Sequence, residues 1–570
     1  MHILPRALTF SVLMAAAAPA AAAVYYVDFA NGNDGNSGTA TSSAWRRAPG
    51  DPAATGIPAN IKLNPGDVVR FRGGVHYRGS ISLKHSGVSG KAITWSGTGW
   101  GTGRAIIDGA DAVTSTVNCP SKGACGNAAN WQKLKLVTFK QPVVKEIMFY
   151  DQKGQLFPSQ YPAIKDPFWN DNLDHMAVTP LSSVAAIESG RLEHRVLAAQ
   201  AAKAGPHAKL LFWISGNQLA SRQIDSVSGA NIYFKPNGLK LYKDRPGRVA
   251  LVGSANAVTA PGSFAVIAPG KAVVYPRSGG GAFSVGNGRA GIDIRGQSHI
   301  VIQGFHFANG TGDTPFSGQG IAINNSRGVW GYNWVIENNK FGPAVLRHGR
   351  GTISINYSDG AIVRNNEISS IQVGSGVRVA GKVRNLQVLD NSLQRVSRTG
   401  IYFGGVVDGV VRGNNLREMQ GVHGNAMSFY LANQNILIEN NCVYNSTRPI
   451  TFHGDNKLTH NNLVFRNNIL IGTGDSSSAI TSWGSRTQGV TIADNVTLGA
   501  KFGVRLVAGD AKVSVRNNLV SGFNFPKPAP SSWEVTGNVT TPFSERQNME
   551  LTPEYCSAQG TKTLLQTGSN

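Results

Sequence analysis

The sequence predicts an all-β chain wound as a right-handed parallel β-helix solenoid, with a small β-rich insertion near its N-terminal third. Two patterns predict it. An Asn returns at a near-constant interval: Glu337-Asn338-Asn339, Arg364-Asn365-Asn366, Leu389-Asp390-Asn391, Gly413-Asn414-Asn415, Glu439-Asn440-Asn441, Arg466-Asn467-Asn468, Ala493-Asp494-Asn495 and Arg516-Asn517-Asn518 end on Asn every 23 to 27 residues. Between them lie short runs with apolar residues at alternate positions: Ile321-Ala322-Ile323, Ile353-Ser354-Ile355, Val377-Arg378-Val379, Ile401-Tyr402-Phe403, Met427-Ser428-Phe429, Ile450-Thr451-Phe452 and Val504-Arg505-Leu506. Alternation at period two marks strands with one buried face, and a repeat of this length with two or three strands per unit marks a solenoid. Asn tolerates the left-handed backbone of a tight bend, and stacked Asn side chains hydrogen-bond from coil to coil, so these Asn are read as structural. A leucine-rich repeat would need fixed Leu positions and helix-forming segments, and neither is present.

The remaining segments follow in order. Met1 to Ala23 reads as a secretory signal, with Arg6 in the charged region, an apolar run from Ala7 to Ala18, and Ala21-Ala22-Ala23 at the cleavage point. No other stretch reaches the ~20 apolar residues of a membrane span. The expected layout is 24–110 as the first coils, 111–285 as the insertion, 286–525 as the main β-helix and 526–570 as a tail. The insertion should carry a helix near Leu192 to Ala204 and a strand at Lys209-Leu210-Leu211-Phe212-Trp213. Its Tyr161, Phe168, Trp169 and Trp213 either stack on sugar rings or form its own core. The mature chain is expected to start near Val24 and to act as a monomer, secreted or periplasmic.

Composition narrows the partner. The formal charge is +22, with 54 Lys and Arg against 32 Asp and Glu, yet only 15% of residues are charged. The usual level is roughly 25%, so scarce acids matter as much as abundant bases. A 41% hydrophobic fraction excludes a disordered chain, and 68 Gly without a Gly-X-Y period exclude collagen. A basic surplus calls for an anionic partner. Export argues against nucleic acid, and the lack of a span argues against the membrane, which leaves an acidic polymer. The four cysteines allow a small Cys119–Cys125 loop; Cys442 and Cys556 either tie the tail to the body or stay free. No Cys/His cluster suggests zinc.

Residues 24 to 110 contain Tyr25-Tyr26-Val27-Asp28, Asn31-Gly32-Asn33-Asp34-Gly35, Pro65-Gly66-Asp67-Val68-Val69, Phe71-Arg72-Gly73-Gly74 and Ile106-Ile107-Asp108-Gly109. This order resembles the opening coils of secreted pectate-lyase-like β-helix proteins, many of which act on polysaccharides. The resemblance covers most of the mature chain as architecture and implies a β-rich insertion beside the substrate cleft. No cofactor is required by this reading; Asn31, Asn33 and Asp34 form an Asx-rich turn, with a calcium site as the alternative.

In each second strand the apolar residues point in, so their neighbours point out. The outward residues are Asn324, Asn356, Arg378, Tyr402, Tyr430, His453, Trp483 and Arg505. The preceding loops add Arg347, His348, Arg350, Arg395, Arg398, Arg417, His423 and Arg448, while acids are few: Glu367, Asp408, Glu418 and Asp455. Such a basic, aromatic groove suits eliminative cleavage of a uronic acid polymer. That reaction needs a group to offset the carboxylate charge, a base for the C5 proton and an acid for the departing oxygen. Arg378 is expected to clamp the carboxylate, His423 or His453 to be the base, and Tyr430 or Tyr402 the acid. Arg347, His348, Arg350, Asn356, Arg398, Arg448, Trp483 and Arg505 are expected to bind the chain.

Relatives depart from this pattern. The Asp cluster of calcium-dependent pectate lyases, the Asn-Thr-Asp motif of polygalacturonase-like hydrolases and the Asp-Pro-His-Asp motif of alginate epimerases are all absent. Alginate and dermatan lyases of this fold use Lys and Arg, and Lys457 is the nearest Lys here. A glycoside hydrolase stays open through Glu418 with Asp408 or Asp455. Epimerisation, which shares the first proton abstraction, and non-catalytic polysaccharide binding stay open as well.

Overall fold

The computed structural model describes residues 22–541 apart from 145–146, 159–176, 180–183, 215–217, 242–246, 280, 313–317, 347–348, 420–423, 455–458, 473–477 and 485–486. The chain is an all-β right-handed parallel β-helix. Three parallel sheets of 15, 14 and 11 strands run its length. One coil shows the path: Val383–Leu389 lies in the first sheet, Ser392–Val396 in the second and Thr399–Gly404 in the third, before Val406–Arg412 re-enters the first. The inward rows of the third sheet form the core: Ile353, Ile355, Val377, Val379, Ile401, Phe403, Met427, Phe429, Ile450 and Phe452 are fully buried.

Two adjacent residues share the work at the corner from first to second sheet. The earlier one takes the left-handed conformation: Asn338, Asn365, Asp390, Gly413, Asn440, Asn467, Asp494, Asn517 and Gly537 all have φ between +53° and +68°. The later one joins a buried ladder of Asn339, Asn366, Asn391, Asn414, Asn441, Asn468, Asn495, Asn518 and Asn538. Each backbone N–H from Asn339 to Asn518 donates to the next Oδ1 at 2.9–3.0 Å. The rung in the fourth repeat is thus Asn414, not the Asn415 that the tripeptide pattern picks out. Gly413 fills the left-handed slot there, which moves the rung one residue earlier.

The insertion leaves and returns without breaking the solenoid. Ile81–Ser82 pairs directly with Ile292–Ile294, and Ile106–Asp108 with His306–Ala308. Between them lie mostly antiparallel sheets around cores of their own, such as Leu192, Leu210, Phe212, Ile232 and Leu251. The expected strand at Lys209 is present as Lys209–Ile214. The expected helix is shorter, Arg195–Ala201, because Leu192 sits in a strand against Ile232 and His194 caps the first turn through its ring nitrogen. Tyr161, Phe168 and Trp169 lie outside the described residues.

Cys119 and Cys125 form a disulfide, and Cys442 is also disulfide-bonded; Cys556 lies outside the described residues, as do the signal-like residues 1–21. No described helix is long and apolar enough to cross a membrane. At the Asx-rich turn, both Asp34 oxygens accept backbone N–H groups, from Arg47 at 2.8 Å and Thr55 at 3.0 Å, and Asn33 Oδ1 accepts that of Gly35.

Candidate active site

The outer face of the third sheet brings the expected residues into two parallel rows. Pairing aligns Ser354, Arg378, Tyr402, Ser428, Thr451, Thr481 and Arg505, one per coil. Two residues further along the strands, Gly404, Tyr430 and His453 are aligned. The N–H of Trp483 donates to the carbonyl of Phe452, which sets Trp483 beside His453 on the next coil. Asn324 and Asn356 align at the other end of this second row.

The rings and guanidinium groups gather in two neighbouring clusters along this face. Arg378 Cζ lies 4.2 Å from the Tyr402 ring centroid. Tyr402 and Tyr430 centroids are 6.4 Å apart, and Tyr430 stacks on His453 at 5.2 Å with 14° between planes. Beyond it, Trp483 is flanked by Arg448 of the preceding coil at 5.0 Å and Arg505 of the following coil at 5.1 Å. Gly404 makes the crossing between rows possible. A Cβ there would lie 3.1 Å from the Tyr402 ring and 3.2 Å from its hydroxyl oxygen. The ring therefore fills the empty slot above Gly404 and comes into line with Tyr430.

Burial raises the Tyr402 pKa, the neighbouring Tyr430 adds to this, and the cations of Arg378 and Arg398 oppose it. The phenol consequently keeps its proton at neutral pH. Arg398 and Arg350 stand at the starts of the strands carrying Tyr402 and Asn356, partly exposed. His423, Arg347, His348, Asp455 and Lys457 lie outside the described residues.

Several expected groove residues stand elsewhere. Arg395 and Arg417 belong to second-sheet strands, Ser392–Val396 and Asn415–Arg417, rather than to loops entering the third sheet. Glu367 is likewise in the second sheet and faces Arg104 at 3.6 Å. Asp408 lies in the first sheet, where it accepts from Asn435, whereas Glu418 follows a second-sheet strand and is held by Gln394 at 3.0 Å and Arg395 at 3.6 Å. Glu418 and Asp408 thus occupy opposite margins of the third sheet and do not make a carboxylate pair over it.

Two features escape the sequence reading. The floor between the aromatic groups is lined by hydroxyls, with Thr451 donating to Ser428 at 3.2 Å. Behind the stack, Asn433 ties the corner from third to first sheet. Its Nδ2 donates to the Tyr430 carbonyl at 3.1 Å, its Oδ1 accepts from Val406 N–H, and its own N–H donates to His460 Nδ1 at 3.2 Å. Burial pushes His460 down to about 4, partly offset by the His453 carbonyl, while the His453 ring adds to the downward push. His460 is therefore a neutral hydrogen-bond acceptor supporting the strands that carry Tyr430 and His453.

Comparison with known proteins supports the fold. Residues 351–520 match the family model for the right handed beta helix region. A solved glycoside hydrolase superposes over 91% of this chain and 95% of its own, with a TM-score of 0.52 at 12% identity. A complex of XylC with xylose superposes over 88% of this chain and 70% of its own, with a TM-score of 0.41 at 11% identity. A lacto-N-biosidase from Eubacterium ramulus covers 90% of this chain and 67% of its own, with a TM-score of 0.40 at 10% identity. At 12% identity the first of these likenesses shows the fold alone. No curated protein matches the sequence.

Proposed function

We propose that the chain is a carbohydrate-active enzyme that acts outside the cytoplasm and cleaves a uronic-acid-containing polysaccharide by β-elimination. One observation carries this reading. Six consecutive third-sheet strands, Ser375–Val379 to Phe502–Arg505, contain no Asp or Glu, yet present Arg378, Tyr402, Tyr430, His453 and Arg505. Hydrolysis needs two carboxyl groups facing one glycosidic bond. Elimination needs a carboxylate clamp, a base and an acid.

In this reading Arg378, with Arg398 beside it, offsets the substrate carboxylate and makes the C5 proton more acidic. His453 takes that proton. The C5–H electron pair becomes the C4=C5 double bond as the C4–O bond breaks, and Tyr430 protonates the departing oxygen. The stacked rings of Tyr430 and His453 place acid and base on neighbouring coils. Tyr402 holds the guanidinium of Arg378 over the same sugar. The Cys119–Cys125 disulfide and the N-terminal signal-like segment support export.

The test is incubation with alginate, polygalacturonate, glucuronan and glycosaminoglycans while near-UV absorbance is followed. The expected result is an unsaturated uronate that His453→Ala and Tyr430→Phe abolish. New reducing ends without absorbance would replace elimination with hydrolysis.

A further inference from the structure

A second aromatic and basic patch lies on the corner between the third and first sheets, away from the reactive stack. Trp330 and Tyr357 meet edge to face at 6.1 Å, and Arg384 Cζ lies 5.6 Å from the Trp330 ring. Tyr332, Asp359 and Arg384 align on three successive coils. Tyr332 is 47% exposed, Val329 beside it is equally so, and Lys382 and Arg384 are exposed too. An exposed Tyr and Val beside a half-buried Trp–Tyr pair make a contiguous apolar patch of the kind that marks a binding site.

The geometry holds the rings in place rather than leaving them loose. Tyr357 takes a left-handed backbone, φ +47°, unusual for a bulky residue. Asn325 Nδ2 donates to its carbonyl at 3.1 Å. Its ring passes over Gly381, where a Cβ would lie 3.2 Å from the ring. The exposed aromatic residues of the solenoid include Tyr332 here and Trp483 at the far end of the third-sheet row, and an arginine lies over Trp330 at one end and over Trp483 at the other.

We propose that Trp330, Tyr332, Tyr357 and Arg384 form a distal binding site for a segment of an anionic polysaccharide. The apolar faces of sugar rings lie on the aromatic side chains. Arg384 and Lys382 take carboxylate groups, and Asp359 accepts from sugar hydroxyls. Tyr357 directly follows Asn356 of the groove's second row, so the patch continues the groove. At about 4.8 Å per coil, Tyr357 lies three coils and Trp330 four coils from Tyr430, about 14 and 19 Å away. A chain engaged at Tyr430 therefore reaches the site only when it is about as many sugars long as there are coils between them, and a disaccharide falls short. The identity of the ligand rests on the elimination reading; the patch itself does not.

The test is calorimetric titration of the full chain with alginate and polygalacturonate, each as a disaccharide and as a long chain. Trp330→Ala and Arg384→Gln are compared with wild type, and melting curves check folding. Trp330→Phe serves as the conservative control. The expected result is about tenfold weaker binding of the long chain in both variants, unchanged disaccharide binding, and retention in Trp330→Phe. Unchanged long-chain binding in folded Trp330→Ala and Arg384→Gln overturns the site and leaves the elimination reading intact. If wild type binds neither of these polymers, nor glucuronan nor a glycosaminoglycan, at any length, both are overturned.

Discussion

His460→Asn replaces a buried imidazole by the residue type that fills the equivalent slot one coil earlier, at Asn433. The exchange keeps an acceptor for the Asn433 N–H and removes a group that titrates. In the folded chain His460 is fully buried and its pKa is pushed down to about 4. In the unfolded chain it returns to about 6.5. Above pH 6.5 both states hold it neutral, and its contribution to stability is complete. As pH falls below 6.5, the unfolded chain gains a proton that the folded chain rejects. Each pH unit then costs about 1.4 kcal/mol, so the wild type loses about 3 kcal/mol from this residue by about pH 4. The variant loses none of it, and all other groups are shared, so they cancel in the difference. Urea unfolding of both chains at about pH 7 and about pH 4.5 measures the effect. The wild type should lose about 2–3 kcal/mol more than His460→Asn between the two conditions. A parallel decline would refute the claim that a neutral imidazole supports this corner.

Two further outcomes follow from the register and from the glycine slot. Asn414→Ala removes the acceptor for the Asn391 N–H and the donor to the Val388 carbonyl, and should cost about 3 kcal/mol in urea unfolding; Asn415→Ala, one residue later and off the ladder, should cost less than about 1 kcal/mol. Gly404→Ala puts a methyl group against the Tyr402 ring and hydroxyl, and should lower kcat roughly ten- to hundredfold on the uronate polymer. Its melting temperature should stay close to wild type, because the ring can swing outward without opening the core.

The alternating strands were legible because a period of two leaves only one choice of buried face, and burial of Ile401 and Phe403 forces Tyr402 outward. This is why Arg378, Tyr402, Tyr430 and His453 could be named from sequence and are found on one face. The corners were harder. At Gly413-Asn414-Asn415, glycine took over the left-handed position, and counting Asn alone slipped by one residue. Arg395 and Arg417 were misplaced because second-sheet and third-sheet strands are joined by connections of unequal length, which hide where one strand ends. His460 left no signal, since that corner uses Asn433, His460, Thr487 and Asp510 in turn and shares no residue type. The Trp330–Tyr357 contact was equally hidden, because rings 27 residues apart meet only once the coils are stacked.

The net charge of +22 also takes on a shape that composition could not give it. On the first sheet several arginines are answered by carboxylates: Arg364 binds Glu337 at 2.6 Å, and Arg412 and Arg466 converge on Glu439 at 3.5 and 2.7 Å. On the third sheet, Arg378, Arg448 and Arg505 lean instead on Tyr402 and Trp483. The difference has a chemical consequence. A guanidinium already paired with an internal carboxylate must give up that bond before it can hold a substrate carboxylate. One lying on an aromatic face is oriented by the ring, as Arg378 is by Tyr402. The third-sheet strands from Ser375–Val379 to Phe502–Arg505 hold no acid, whereas Glu337 and Glu439 hold the first-sheet arginines together. That division, more than the total charge, is what supports the proposal of a polyanionic sugar chain on the third sheet.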